Sequence, residues 1–224
     1  MKSTKAFIAI LSIIFSFLAT SCVSTLPLNQ QFYNSKKVGV ILQVDSIGVA
    51  KAGSQGLLDM ALTQGSRFKE PLQKVQTQLN FEETLQKEVS QILTSKNKPF
   101  HVIAEKIDYS NLSKFEKPDS NKKYSKKDFR DFKTKYNVDE LLFIKVKYGL
   151  LVSYYGVIET EKQGYANMVT EIIDLSDNSL LQQENIQSVS EINGDWKGGQ
   201  DYANLKNGIN VAIHKSIKEL KTKF

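Results

Sequence analysis

Residues 2–22 restrict this chain more than any other stretch. Lys2 and Lys5 precede an almost wholly apolar run from Ala6 to Ala19, and Thr20, Ser21 and Cys22 close it. A basic start, 14 apolar residues and a small-residue exit make the pattern of an export signal. As a helix the run would rise only ~21 Å, short of the ~30 Å hydrocarbon core, so it does not read as a permanent span. Cys22 is the only cysteine in the chain. Once residues 1–21 leave, the fold has no other thiol. It can hold no internal disulfide, and no cysteine-based metal site or nucleophile is expected.

A lone cysteine directly after Ala19-Thr20-Ser21 resembles the lipobox of bacterial lipoproteins, with Ala19 where that motif prefers leucine. The resemblance implies that Cys22 is acylated and becomes the mature N-terminus. Two or three acyl chains make membrane residence effectively permanent, whereas a single chain is reversible. Residues 22–35 are polar, broken by Pro27, and read as a lipidated tether. Residues 36–224 read as a single periplasmic domain. Val23 is not an aspartate, which in lipoproteins resembling the enteric kind favours the outer membrane. The lipid bilayer, reached through the acyl chains, is therefore the first expected partner.

The remaining ~200 residues suit one large domain. An apolar content of 41% supports a real core, and 24% charged residues is ordinary for a globular protein. The net charge is +6, of which Lys2 and Lys5 supply two. That balance is too mild to argue for nucleic acid. After the signal, no apolar run approaches 18 residues, so no transmembrane helix is expected.

Period and punctuation predict the elements. Lys37 to Val44 reads as a buried first strand. From Asp45 to Gln78, Gly48, Gly53, Gly56 and Gly65 punctuate a stretch read as a long excursion with one or two short helices, interrupted by Pro71. Asn80 to Ser95 is the clearest helix, with Asn80 as N-cap and Phe81, Leu85, Val89, Ile92 and Leu93 on one stripe. Phe100 to Ala104 reads as a short strand. A helix is expected from Ser125 to about Asn137, with Phe129, Phe132 and Tyr136 on one face. Glu140 to Tyr148 reads as a strand broken by Gly149, Leu150 to Ile158 as a second, Tyr165 to Leu175 as a third and Leu180 to Ser190 as a fourth. A last helix covers Asp201 to Lys221. Early alternation argues for parallel pairing and the later run of strands for hairpins. The fold class is α+β, a mixed sheet of about five to six strands with helices packed against it.

The strand Lys37–Val44, the stretch Tyr136-Asn137-Val138-Asp139-Glu140-Leu141-Leu142, and the hairpin from Val169 to Ser190 centred on IIDLSDNSLL resemble a broad group of small periplasmic lipoprotein domains. The group includes relatives of the curli secretion lipoprotein and of the penicillin-binding-protein activator lipoproteins. The resemblance implies an assembly, secretion or activation component at the outer membrane, with an envelope protein as partner and no catalytic residues to carry over.

Catalytic patterns are missing from the sequence: there is no G-x-S-x-G elbow and no H-E-x-x-H. The two histidines, His101 and His214, lie far apart, His101 as a structural residue of a strand and His214 as partly buried. No enzyme, no metal and no cofactor is expected. Three places stand out as contact surfaces. Between positions 114 and 135 nine basic residues, among them Lys122, Lys123, Lys126, Lys127 and Arg130, face only four acids. Such a surface suits anionic lipid heads or a partner's acidic face, or serves simply as a solvated loop. Leu57, Leu58, Met60 and Leu62 form an apolar cluster that either closes over the sheet or docks a partner. Trp196, among Gly194, Gly198 and Gly199, is a binding anchor or a plug for the end of the sheet. A second function stays open, a small-ligand or lipid-binding module whose cavity is lined by Leu57, Met60 and Tyr154.

Overall fold

The computed structural model describes residues 25–53, 56–61, 66–118 and 121–224. Cys22 and Leu62 lie outside these described residues. In chain order the elements are β1 (Val38–Val44), β2 (Gly48–Gly53), β3 (Gly56–Ala61), α1 (Ser66–Gln76), α2 (Phe81–Ser95), β4 (Phe100–Val102), α3 (Phe132–Tyr136), β5 (Glu140–Tyr155), β6 (Ile158–Asp174), β7 (Ser179–Glu191) and α4 (Ala203–Lys221).

The core is organised by β5. It is β-branched, leucine-rich or aromatic along most of its 16 residues, and Leu141, Leu142, Ile144, Val146, Leu150 and Val152 are fully buried. A strand buried on both faces belongs in the middle of a sheet. One edge of β5 pairs antiparallel with β6 over its whole length, from Glu140 opposite Asp174 to Tyr155 opposite Ile158. Its other edge takes two strands end to end, both parallel: β1 from Val38 opposite Glu140, then β2 from Gly48 opposite Gly149. β4 flanks β1, β3 flanks β2, and β7 closes the far side. The mixed α+β sheet thus holds seven strands, at most five of them abreast.

Two expectations change at this centre. Gly149 does not break the strand. It sits inside β5 with φ +144°, and a Cβ there would lie 2.0 Å from the carbonyl oxygen of Gly48. The glycine is the contact point where the parallel partner switches from β1 to β2. The excursion after Asp45 is also mostly not helical. Its first half is the β2–β3 hairpin, with Lys51 opposite Leu58 and Ala52 opposite Leu57. The glycines there serve strand ends, a use that composition does not separate from loop. Pro71 lies within α1 rather than ending it.

The sheet carries unequal layers. On one face α1, α2 and α4 bury Phe68, Leu72, Val75, the predicted α2 stripe except Ile92, and Leu205, Ile209, Ile213, Ile217 and Leu220 against Val38, Val40, Leu142, Ile144, Val146 and Met168. Full burial of each such side chain is worth ~1.5–3 kcal/mol. The alternation in β5 sends Leu142, Ile144, Val146 and Tyr148 to this face. Asn80 makes no side-chain cap; Glu82 and Glu83 supply the acidic first turn instead. On the other face a mostly irregular layer, residues 103–138, covers the lower sheet with Ile103, Phe129, Phe132 and Val138 on Leu141, Phe143 and Ile173. The helix expected from Ser125 shrinks to α3, because Lys126 and Asp128 bond the 113–115 backbone instead of a helical ladder.

Gly149→Ala is expected to cost about 3 kcal/mol or more, since it adds both positive-φ strain and backbone overlap. Gly156→Ala is the control: its φ is +61° but open space surrounds it, so only about 1 kcal/mol of strain is expected. Urea midpoints of the two variants check the ranking.

Candidate functional site

The structure departs most from expectation at the N-terminal end. Residues 25–35, part of the stretch read as a lipidated tether, are strapped onto the domain together with Lys36. Leu26 exchanges two backbone bonds with Gln183 of β7, at 2.7 and 2.9 Å, and Asn29 N–H donates to the Leu181 carbonyl. Asn29 also caps a 3-10 turn over Gln30–Tyr33, accepting from the Gln31 N–H. That turn pushes Phe32 into the core, fully buried and edge-on to Phe224 at 6.0 Å. The Tyr33 hydroxyl donates to the Phe224 carbonyl. A flexible leash would show none of this, and Cys22, the predicted acylation site, lies three positions before Thr25.

A buried ion pair locks the strap. The Lys98 ammonium lies 2.7 Å from Glu140, both side chains fully shielded from solvent. It also donates to the Phe32 carbonyl and to Asn34 Oδ1, the latter at 3.2 Å, and stands 4.4 Å from the Phe32 ring centre. Burial pushes the Glu140 carboxyl up, against the downward pull of Lys98. Nearby, Lys36 donates to Asp174 at 2.8 Å. Burial alone would raise the Asp174 carboxyl, but the bonds from Lys36 and Ser176 outweigh it and hold it below the usual range. Sequence reasoning missed this cluster, because Lys98 looked like a helix-ending lysine. The available signal was Glu140, the one acid of β5, standing at its first position before four apolar residues.

The basic segment proves to be extensively engaged within the fold. Lys122 pairs with Asp177 at 3.0 Å, and Lys123 donates to the Thr25 carbonyl. Lys127 donates to the carbonyls of Leu112 and Ser110 and faces the Tyr109 ring. Arg130 grips Asp128 with two bonds, at 3.0 and 2.7 Å, and lies over Phe115. Lys126 is exposed, and its carbonyl accepts from Phe115 N–H. Buried Asn178 ties the layer down, accepting from Phe129 N–H and donating to Lys127 O. The bond from Arg130 holds Asp128 below the ordinary carboxylate range. Asp177 is held low as well: burial opposes this, but Ser179 and Lys122 prevail.

The other predicted contacts fall apart in space. The backbone of Leu57, Leu58 and Met60 forms the outer strand β3. Trp196 packs on Phe68 with ring centres 5.3 Å apart, under Lys197, and leans on the main core as a plug. Beside it lies an open depression of about 390 Å³ lined by Thr160, Glu161, Lys162, Ile192 and Gly194. Tyr154 donates to Glu159 at 3.1 Å and packs against the core. His101 and His214 are both exposed; the expected partial burial of His214 fails because it sits on the solvent side of α4 and bonds the Asn210 carbonyl. Among the described residues no cluster of histidine, cysteine or acidic side chains could hold a metal ion, and no helix is long and apolar enough to cross a membrane.

One surface went unnoticed in the sequence. The β5–β6 hairpin ends in Tyr155, Gly156, Val157 and Ile158, whose three large side chains are 78%, 96% and 64% exposed. In sequence this looked like ordinary strand alternation, because nothing marked where the strand outran its neighbours.

No family model and no curated protein matches the chain. Among solved structures it is similar to a neuraminyllactose-binding hemagglutinin homolog from Helicobacter pylori, at 13% identity over 85% of this chain and 86% of that one, TM-score 0.40. It is also similar to a lipoprotein from Neisseria meningitidis, at 9% identity over 82% and 99%, TM-score 0.37. A PelC dodecamer variant from Paraburkholderia phytofirmans gives 11% identity over 90% and 94%, TM-score 0.36. Likeness at this level ties the chain to none of them in function.

Two outcomes follow from the charges. Lys98→Met should cost about 3–5 kcal/mol by stranding Glu140, and Lys98→Met with Glu140→Leu should recover most of it; urea unfolding of both measures the difference. The depressed aspartates Asp128, Asp174 and Asp177 add stability above their unfolded values, near pH ~4, and lose it as pH falls through the folded values. Hydrogen-exchange protection in residues 108–131 should therefore drop on acidification before that of β5 and β6.

Proposed function

We propose that this chain is a lipid-anchored, non-catalytic component of a bacterial envelope assembly, held at the outer membrane and facing the periplasm. The observation that carries the reading is the strap. Thr25 and Leu26 are bonded to the domain, so acyl chains on Cys22 would hold the domain within ~10 Å of the bilayer. A domain so placed acts on what lies at that surface. The export-like segment, the lipobox-like exit, and the resemblance to the curli secretion and penicillin-binding-protein activator group support the same conclusion. The titratable clusters support contact rather than catalysis. Lys98 with Glu140, and Lys36 with Asp174, are spent on joining the strap and strand ends.

The partner would meet the upper half of the second sheet face. There Gln43, Lys145 and Asn185 share one cross-strand row, and Lys147, Asn167 and Gln187 the next. No described helix packs on that half. The amide oxygens of Gln43, Asn167 and Asn185 make no hydrogen bond to a described residue. Buried amide oxygens favour a partner that brings donors.

Two measurements test the proposal. Cys22→Ser should abolish incorporation of a labelled fatty acid; persistent labelling would refute the anchor. A photo-crosslinking residue at Gln187, which is exposed, should capture an envelope protein in intact cells. Failure to capture one, with the fold intact, would count against the assembly role.

A further inference from the structure

We propose that the tip of the β5–β6 hairpin is a lipid-bilayer contact, through which the domain touches a membrane with its own side chains. Three of the four large apolar side chains exposed among the described residues, Tyr155, Val157 and Ile158, fall within positions 155–158. The turn is two residues long. Gly156 takes the first central position at φ +61°, which primed hairpin turns require. Its companion is Val157, where turn chemistry normally selects Asn, Ser or Gly. An apolar β-branched residue thus occupies a position that is 96% exposed.

Among the described residues, β7 pairing ends opposite Gln163 and β2 pairing ends opposite Ser153, so residues 154–161 have no strand partner outside their own hairpin. Below the apolar end lies a charged collar. Glu159 pairs with Arg67 and with Lys162, the latter at 3.0 Å, and accepts from Tyr154. Lys51 stands 6.0 Å from the Tyr154 ring centre. Three cations therefore face two acids, Glu159 and Glu161. The collar places cations beside the apolar tip, where anionic headgroups would lie, and puts Tyr155 next to the aliphatic side chains.

Area decides between lipid and protein. Three side chains bury about 500 Å² at most, below the ~800 Å² per partner of a stable protein interface. Insertion into acyl chains needs no matching surface. The polar backbone of the turn limits the depth to the headgroup–acyl boundary.

The tip contact stands without the anchor, but together they set an orientation that rests on the acylation reading. Thr25 lies beside the level of Gln183, which aligns through Glu171 with Phe143. From there to Tyr155 the strand rises ~40 Å. Both contacts can meet one bilayer only when the long axis of the sheet lies along the membrane plane.

The test uses the full chain carrying Val157→Trp and Trp196→Phe, reconstituted with vesicles of phosphatidylethanolamine and phosphatidylglycerol bearing brominated acyl chains. The introduced indole should be quenched at least about twofold, whereas Trp196 in the parent chain should not. An unchanged urea midpoint confirms folding. An indole quenched no more than Trp196 overturns the proposal, as does its crosslinking to a protein instead of lipid. Fatty-acid labelling at Cys22 reads the anchor separately. A labelled chain with an unquenched indole sinks the tip alone, and a quenched indole on an unlabelled chain sinks the anchor alone.

Discussion

An ammonium with no water around it organises one end of this molecule. Lys98 satisfies its charge with Glu140 at the first position of β5 and its donors with the strap, through Phe32 and Asn34. Taking two charges out of water costs several kcal/mol per ion, and their attraction offsets this only when the geometry is complete. The pair is therefore weak evidence for stability but strong evidence for register. If the strap slides, Lys98 loses an acceptor; if β5 slips by one residue, Glu140 turns to the other face. The central strand and the N-terminal segment are held in one arrangement by the same nitrogen.

Charge plays a similar part along the lower second face. The segment rich in lysine has almost no regular structure, yet it covers Phe143 and Ile173 as a helix would. Its cations supply what a helical ladder would have supplied, closing on loop carbonyls, on Asp128 and Asp177, and on aromatic rings. The surplus of positive charge that suggested a sticky surface is largely a folding device. The exposed apolar side chains gather elsewhere, at the end of the longest hairpin.

Periodicity made β1, α2, β5, β7 and α4 legible, because each buries a continuous face and the apolar spacing records it. Period 2 places Leu142, Ile144, Val146 and Tyr148 on one side of the strand, and that is the side the helices cover. What stayed hidden depended on partners distant in sequence. Gly149 reads as a breaker locally, and only Gly48, some hundred positions earlier, explains it. The β2–β3 hairpin was obscured because glycines at strand ends and in loops look alike. The strap is polar and contains Pro27, the composition of a linker, and Phe32 is its one fully buried side chain. Lys98 and Glu140 show nothing in sequence of the 2.7 Å between them. Exposure of Val157 was illegible for a related reason: it depends on where neighbouring strands stop.

The strap has a further consequence for how the chain reaches its native state. Its partners lie far downstream: Lys98 is 66 positions from Phe32, and Phe224 is 191 from Tyr33. The β5–β6 and β6–β7 hairpins close short loops and can form early, whereas contacts of such sequence separation carry the largest closure entropy. A polypeptide threaded across a membrane N-terminus first would therefore deliver residues 25–36 ahead of everything they bind. Those residues must wait, undocked, until the final helix has emerged. The first segment to arrive is the last to be fastened.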